Sequence, residues 1–455
     1  MSVSLEANRD RLEEFVSRVI KEKGVPGAAV GILHEGETVA VGSGVTNVEH
    51  PLPITHDTLF QIGSIGKTFT ATAIMRLVET GKLDLEATVR TYVPDFKVSD
   101  ETASSEATVR HLLTHTGGWE GDVFDDTGSG DDALVKYVAN MNELKQLAPL
   151  GTVFSYCNSG FSLAGHVIEV VTDRSYQAAL KELVLDPLGL EGSYLEPSDV
   201  MTRRFVVGHY VTEEGAKVAR PWHLPRSAYP GGGVTCHVQD LLRYALFHLG
   251  DGRVNDETRL LSSESMELMR SPQTTIWGAE KVGIAWMIDE IDGVGVVSHG
   301  GTTNGQVSLL ALVPERDFAV AVLTNANQGG VVTREVSRWA MKQYLELEMP
   351  DPKPIKSSEE ELATYKGRYS RPFADVDLGL LAGNLVGQLR IKGGFPTKDT
   401  PPGPLPPPMS LALCEKDRLL VLDGPFKGAR GEAIRKPDGS IGWLRFMLRI
   451  NVREA

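Results

Sequence analysis

The chain has 455 residues, a net charge of −14 and 41% hydrophobic composition, enough for two or three domains of ordinary globular make-up. The acidic balance argues against a nucleic-acid or anionic-membrane partner. Three cysteines, Cys157, Cys236 and Cys414, have no ligand spacing and read as reduced thiols rather than a disulfide frame.

From the N-terminus, Leu5, Leu12, Phe15, Val16, Val19 and Ile20 recur at helical spacing among Arg, Glu and Lys. That is an amphipathic helix, not the basic-then-apolar pattern of a secretory leader. No apolar run approaches the roughly 20 residues that span a bilayer. With Met1 as the start, a cytoplasmic location is expected. Residues 28–33 and 39–42 flank His34-Glu35-Gly36-Glu37 and predict a hairpin. Helices are expected at 109–113, 133–146, 160–172 and 176–184, which makes about 85–225 mostly helical. Strands are expected at 282–289, 294–298, 306–313 and 318–325, with a closing helix at 331–348. Helices at both ends of a strand meander point to an α/β fold: one mixed, mainly antiparallel sheet flanked by helices, with a helical subdomain. At Met349-Pro350-Asp351-Pro352-Lys353-Pro354 the composition changes, and short alternating runs such as 385–391 follow. Residues 1–350 and 355–455 are therefore expected to be two domains, the second β-rich and of about the minimum size for its own core. The loop Pro401-Pro402-Gly403-Pro404-Leu405-Pro406-Pro407-Pro408 is expected to be stiff and extended.

Three stretches carry chemistry. Residues 58–62 read as a strand stopping at Gly63, and 68–80 as a helix ending at Gly81. Between them stand Ser64 and, three residues on, Lys67, which a helix brings to one face. A serine hydroxyl needs a neighbouring base to take its proton. A lysine can be that base when burial or adjacent positive charge lowers its pKa from about 10.4; Ile65, Phe69 and Ala71 could supply the burial. Alone, Ser-x-x-Lys also fits a capped helix with a solvent-facing lysine. Gly66-Lys67-Thr68 looks like the end of a phosphate-binding loop, but that motif needs glycine where Gln61 stands. The second stretch is Ser155-Tyr156-Cys157-Asn158-Ser159-Gly160, where a tyrosine and an amide two apart can point into one cleft or simply cap a helix. A tyrosine beside a cationic lysine can shuttle protons. The third is Val297-Ser298-His299-Gly300-Gly301-Thr302-Thr303-Asn304-Gly305. Its glycines either let a substrate backbone approach an edge strand or make a plain hairpin turn.

Together and in this order, Ser-x-x-Lys, Tyr-x-Asn and His-Gly-Gly resemble the penicillin-recognising serine hydrolases: class C β-lactamases, DD-peptidases, D-aminopeptidases, D-amino acid amidases and esterases with a β-lactamase fold. Leu112-Leu113-Thr114-His115-Thr116-Gly117-Gly118, Pro230-Gly231-Gly232-Gly233-Val234 and Val322-Leu323-Thr324-Asn325 carry the same resemblance, which spans about residues 10–345. Tyr365-Lys366-Gly367-Arg368-Tyr369 resembles the start of the lipocalin-like domain of some members, implying an antiparallel β-barrel-like C-terminal domain. The resemblance implies Ser64 as the nucleophile that forms an acyl-enzyme and Lys67 and Tyr156 as general acid and base. It has Asn158 hold the acyl-side amide and the edge at His299, Gly300 and Gly301 pair with substrate. The backbone N–H groups of Ser64 and Thr302 would form the oxyanion hole. No cofactor or metal is implied. β-Lactamases and DD-peptidases usually have a lysine where His299 stands, whereas D-aminopeptidases, D-amino acid amidases and certain stand-alone cyclases of peptide thioesters share the histidine. A histidine is mostly neutral at pH 7 and attracts a carboxylate less.

The expected activity is therefore cleavage of amide or ester bonds in small, D-amino-acid-containing peptides, the partner being a small-molecule or short-peptide substrate. A β-lactamase or peptide thioesterase/cyclase of the same fold is the alternative, and a non-catalytic acyl-binding receptor is the alternative of another class. His111 and His115 are four apart but lack a third ligand and read as packing and turn residues. The acidic run from Glu120 to Asp132 reads as a solvated loop, with attraction of a substrate amine as its other reading.

Overall fold

A computed structural model describes Leu5 and residues 8–454; Met1, on which the expected compartment rests, lies outside them. The chain forms two compact units. The first comprises Met1–Ala87, Thr127–Val135 and Phe161–Met349, and the second Thr88–Asp126, Lys136–Gly160 and Pro350–Ala455. Among the described residues no helix is long and apolar enough to cross a membrane.

The first unit is built on an eight-stranded antiparallel sheet. Its strands are β1 (Gly27–His34), β2 (Glu37–Gly44), β3 (Thr274–Trp277), β4 (Glu280–Val282), β5 (Met287–Ile291), β6 (Val294–Thr303), β7 (Gln306–Val313) and β8 (Phe318–Thr324), in the order β2-β1-β8-β7-β6-β5-β4-β3. The predicted hairpin is β1–β2, turning at Glu35 and Gly36, both at positive φ. Strands β1 and β8 are almost wholly apolar and buried because helices cover both faces. Val30 and Ile32 pack with Val16 and Val19 of α1 (Arg9–Lys23), and the same core takes in a helix at Gly329–Leu345. The intervening Gly31 lies against Val238 and Leu242 of the helix Val238–Leu249 on the other face. The strand expected over 282–289 is broken. Gly283 N donates to Trp286 O at 2.7 Å, Ala285 sits at φ 62° and Trp286 is fully buried, so the chain turns between β4 and β5.

The second unit contains a closed eight-stranded antiparallel barrel: β9 (Gly367–Ser370), β10 (Ala374–Leu381), β11 (Asn384–Ile391), β12 (Met409–Glu415), β13 (Arg418–Val421), β14 (Arg430–Arg435), β15 (Ile441–Phe446) and β16 (Arg449–Arg453). Tyr369 of β9 pairs with Arg453 of β16 and closes it, which leaves no open edge. Leu385, Leu389, Leu411, Leu413 and Leu444 fill its interior. The Pro-rich stretch joins β11 to β12 without regular structure. Earlier segments of the same unit bind the barrel directly. Trp443 Nε1 donates to Leu147 O at 2.8 Å, Arg445 Nε to Phe154 O at 3.1 Å and Ile450 N to Ser155 Oγ at 3.3 Å.

The acidic run is not a solvated loop at its start. Glu120, Asp122 and Asp125 are 2%, 8% and 7% exposed, and they pair with Arg371, Arg449 and Lys398 from the C-terminal part of the chain. Removing one side of a buried ion pair costs roughly 3–5 kcal/mol, because a buried charge is left uncompensated. Deleting 355–455 should therefore lower the thermal midpoint sharply and open 88–126 and 136–160 to protease. A truncated chain that melts and resists trypsin as the full chain does would contradict this.

Candidate active site

In the first unit, the expected strand at 58–62 shortens to Phe60–Gln61, which pairs with Thr235–Cys236. The backbone then stops following a strand because it is tied elsewhere. Gln61 N donates to Gln306 Oε1 at 3.0 Å, Ile62 N to Val234 O at 3.1 Å, and Ile62 O accepts Ser308 Oγ at 2.7 Å. Ser64 follows in a single 3₁₀ turn, Gly63–Ile65, that runs into α2 (Gly66–Glu79). Lys67 is fully buried, and its Nζ donates to Ser64 Oγ at 3.2 Å and to Gly231 O at 2.7 Å. The Phe161 ring centroid lies 5.4 Å from the same nitrogen. Thr70, one turn on, donates to Pro230 O at 2.6 Å and holds the carbonyl-bearing turn in place. The solvent-facing lysine of a plain capped helix is thereby excluded.

Strand β6 lies beside this turn. Ser298 is the last β6 residue paired with β5, so among the described residues His299–Thr303 has a ladder partner only in β7. Two glycines permit the contact. At Gly301 an added Cβ would stand 1.9 Å from Ile62 O, and at Gly63, φ 52°, it would stand 2.7 Å from Thr302 N. The Thr302 amide thus lies beside the residue preceding Ser64. His299 is 2% exposed, and its Nδ1 is 2.6 Å from Gly300 O. A carbonyl can only accept, so Nδ1 carries the proton and Nε2 the lone pair. Burial, then the Lys67 charge, lowers its pKa to about 3 despite that hydrogen bond.

Tyr156 and Asn158 belong to the second unit, Asn158 opening the helix Asn158–Thr172. Tyr156 is 5% exposed; its N–H donates to Leu448 O at 2.8 Å, and its ring stacks on His115 at 4.3 Å between centroids. His115 Nδ1 accepts the Cys157 N–H at 3.0 Å, so this histidine orients the motif rather than a metal. His111 instead caps its own helix through Thr108. Asn158 Nδ2 donates to Asp122 Oδ1 at 2.7 Å. Asp122 also receives Arg449 Nε at 3.0 Å and Arg371 Nη2 at 3.0 Å. Burial opposes ionisation of Asp122, but Arg449 and Arg371 outweigh it and hold the carboxyl below its usual range. Glu120, with Arg371 at 3.0 Å, goes the other way: burial and then the Asp122 charge raise it against the Arg371 attraction. Burial also pushes the Cys157 thiol up to about 11, so it stays protonated. Sequence reasoning read His115 as a packing and turn residue and Asp122 as part of a solvated run, and it singled out neither Arg371 nor Arg449 around the Tyr156 motif. Only His115 had a signal, as part of the Thr114-His115-Thr116-Gly117 stretch.

Residues 12–343 match the Beta-lactamase family model. Penicillin-binding protein 4 of Amycolatopsis lactamdurans is 36% identical over 368 residues, covering 77% of this chain and 94% of that protein. The crystal structure of SurE superposes with a TM-score of 0.78 at 23% identity, over 99% of this chain and 100% of that one. The octameric penicillin-binding protein homologue from Pyrococcus abyssi gives 0.67 at 26% identity, over 98% and 99% of the two chains.

Two outcomes follow from the geometry. Gly301→Ala should leave the protein folded but force β6 and the Ser64 turn apart, and acylation of Ser64 should slow about a hundredfold, as for a roughly 1 Å misplacement. A variant acylated at the wild-type rate would show that the contact with Ile62 does not matter. For His299 the folded pKa lies below the unfolded value of about 6.5, so between about 3 and 6.5 the unfolded chain binds the extra proton. Its contribution to stability is full above that range and is lost as pH falls. His299→Gln lacks this loss, so the gap in melting temperature between the two proteins should narrow from pH 7.5 to 4.5. A constant gap would be inconsistent with a neutral buried imidazole.

Proposed function

The chain belongs to the Beta-lactamase family of serine hydrolases, and from that premise we propose that it cleaves amide or ester bonds of small, D-amino-acid-containing peptides through an acyl-enzyme on Ser64. The observation that carries this reading is the buried Lys67 amine, 3.2 Å from Ser64 Oγ and anchored from behind by Gly231 O. A serine in that position has a base within reach of its proton. In the proposed cycle Lys67 and Tyr156 share one proton vacancy: the pair takes the Ser64 proton as the hydroxyl attacks the acyl carbon and returns it to the leaving group. The Ser64 and Thr302 amides hold the tetrahedral oxyanion, each donor worth roughly 3 kcal/mol. Asn158 orients the acyl-side amide, and Gly300 and Gly301 offer the substrate backbone the side of β6 opposite β7. Water then hydrolyses the ester with the same two groups acting in reverse.

The choice among substrates rests on His299. A neutral imidazole with its lone pair on Nε2 offers no cation to a carboxylate beyond the scissile bond. D-Aminoacyl amides and uncharged esters should therefore be better substrates than penicillins or peptides ending in D-Ala-D-Ala. The test is kcat/KM on D-aminoacyl p-nitroanilides, nitrophenyl esters and nitrocefin, for the wild type, Ser64→Ala and His299→Lys. Ser64→Ala should retain less than about one part in a thousand of the activity. His299→Lys should raise turnover of the carboxylate-bearing β-lactam roughly ten- to hundredfold and leave the uncharged substrates unchanged. Efficient wild-type turnover of nitrocefin, or an unaltered ratio in the lysine variant, would overturn the substrate assignment while leaving the acyl-enzyme intact.

A further inference from the structure

The C-terminal barrel reaches into the Tyr156 motif through the hairpin joining β15 to β16. Met447 and Leu448 at its tip both have positive φ, 50° and 67°, although neither is glycine. That conformation is unfavourable for a residue with a side chain and persists only where the surroundings hold it. Here Leu448 O accepts the Tyr156 N–H at 2.8 Å, and the next residue, Arg449, lays its guanidinium over the Tyr156 ring with Cζ 4.5 Å from the centroid. Two parallel hydrogen bonds from Arg449 to Asp122, at 3.0 and 3.2 Å, fix the plane of that group. Asp122 in turn fixes Asn158. One barrel residue therefore touches both members of the Tyr-x-Asn motif, the first through its ring and the second through a shared carboxylate.

From this arrangement we infer that Arg449 is a positioning residue for Tyr156: the barrel supplies the cation that orients its ring and favours its phenolate. A cation held over a ring is attracted to its π face, and far more strongly once the ring bears a negative charge. Burial acts against the Arg449 charge, but Asp122 and then Tyr156 hold it on. The other titratable groups around the ring in this unit do not replace it. His115 accepts the Cys157 N–H through Nδ1, and the Cys157 thiol stays protonated. Arg371 spends its charge on Glu120 and Asp122 and lies over Phe373 instead. Glu120 and Asp122 disfavour a nearby phenolate, which makes an adjacent cation more necessary.

The proposal rests on the catalytic role given to Tyr156 above, so its test begins with a readout that needs no turnover. Tyrosine labelled with ¹³C at Cζ reports ionisation by NMR, and the Tyr156 signal is the one missing from Tyr156→Phe. In Arg449→Met the Tyr156 midpoint should rise by about one pH unit or more, a tenfold loss of phenolate at a given pH. Arg371 and Asn158 still partner Asp122 in that variant; should it fail to fold, Arg449→Gln keeps a donor for Asp122 and should show the same rise. Arg449→Lys retains the charge and should show less than half of it. Arg371→Met, which removes the other guanidinium from Asp122, should leave the midpoint in place. A midpoint unmoved in the neutral variants, moved equally by Arg371→Met, or moved by Arg449→Lys as far as by Arg449→Met overturns the inference, whatever the activity does. The acidic limb of kcat/KM should follow the NMR midpoint. If the midpoint moves and the limb does not, Arg449 acts on Tyr156 as inferred but the assigned role of Tyr156 in the reaction fails.

Discussion

A lysine amine taken wholly out of water must find acceptors, and the first unit is arranged around meeting that demand for Lys67. The Ser64 hydroxyl and the Gly231 carbonyl supply them. Each imposes a condition on the chain. The Gly231 carbonyl faces inward only if the turn carrying it lies close to the start of α2, so Gly232 approaches Gly63, where an added Cβ would stand 3.3 Å from the Gly63 carbonyl carbon. Thr70 ties the same turn to the helix through Pro230 O. The Ser64 turn must in its turn be held against β6 and β7, which the Ile62 carbonyl and the absent side chain of Gly301 achieve. The consequence reaches His299. The positive charge that needs Ser64 as a partner also works against protonating the imidazole. One buried cation thus holds the serine and keeps the neighbouring histidine neutral.

The second unit solves the opposite problem, buried carboxylates. Asp122 and Glu120 are both nearly inaccessible, and together with Arg371 and Arg449 they make a set of two cations and two anions. The set is unequal. Asp122 draws on both guanidiniums and the Asn158 amide, whereas Glu120 has Arg371 and the Asp122 N–H and carries the repulsion of its neighbour. Replacing such a cluster with apolar side chains often costs nothing in stability. What it gives here is register: the bidentate Arg449 pair and the Leu448 carbonyl define where the hairpin tip meets Tyr156. An apolar contact at that point could slide by an ångström without penalty, and a pair of parallel hydrogen bonds cannot.

Much of the first group was legible because its chemistry is local. Ser64 and Lys67 are one helical turn apart, and the run from His299 to Thr302 lies on a single strand, so spacing alone brings the right atoms to one face. The meander was legible from its short apolar runs, except at Ala285, where a small apolar residue in the left-handed region turns the chain. The Tyr156 surroundings were not legible. Asp122 and Arg449 are separated by 327 positions, and no local pattern relates them. Nothing in the sequence around Arg371 or Arg449 marks either as a partner of Asp122, and an acidic run reads as solvated because most are. The positive φ at Met447 and Leu448 had no signal either, since neither residue favours it.

These two solutions bear differently on selection. In the proposed reading, a neutral His299 and the stretch of β6 that ladders with β7 over 299–303 recognise backbone geometry rather than charge. Hydrogen bonds to a strand edge depend on where the partner's N–H and C=O groups point, and inverting one α-carbon turns its side chain to the other side of that edge. A fixed cation at 299 would add an attraction that any carboxylate satisfies, whatever the configuration of the residue bearing it. Without that attraction, discrimination in the proposed reading falls to shape and to oriented polar groups such as Asn158. Its orientation in turn depends on Asp122, and that of Asp122 on an arginine from the last strand of the barrel. In the proposed reading, then, the C-terminal strands contribute to selectivity through the angle at which they hold one amide, a role that requires no barrel residue to touch the substrate.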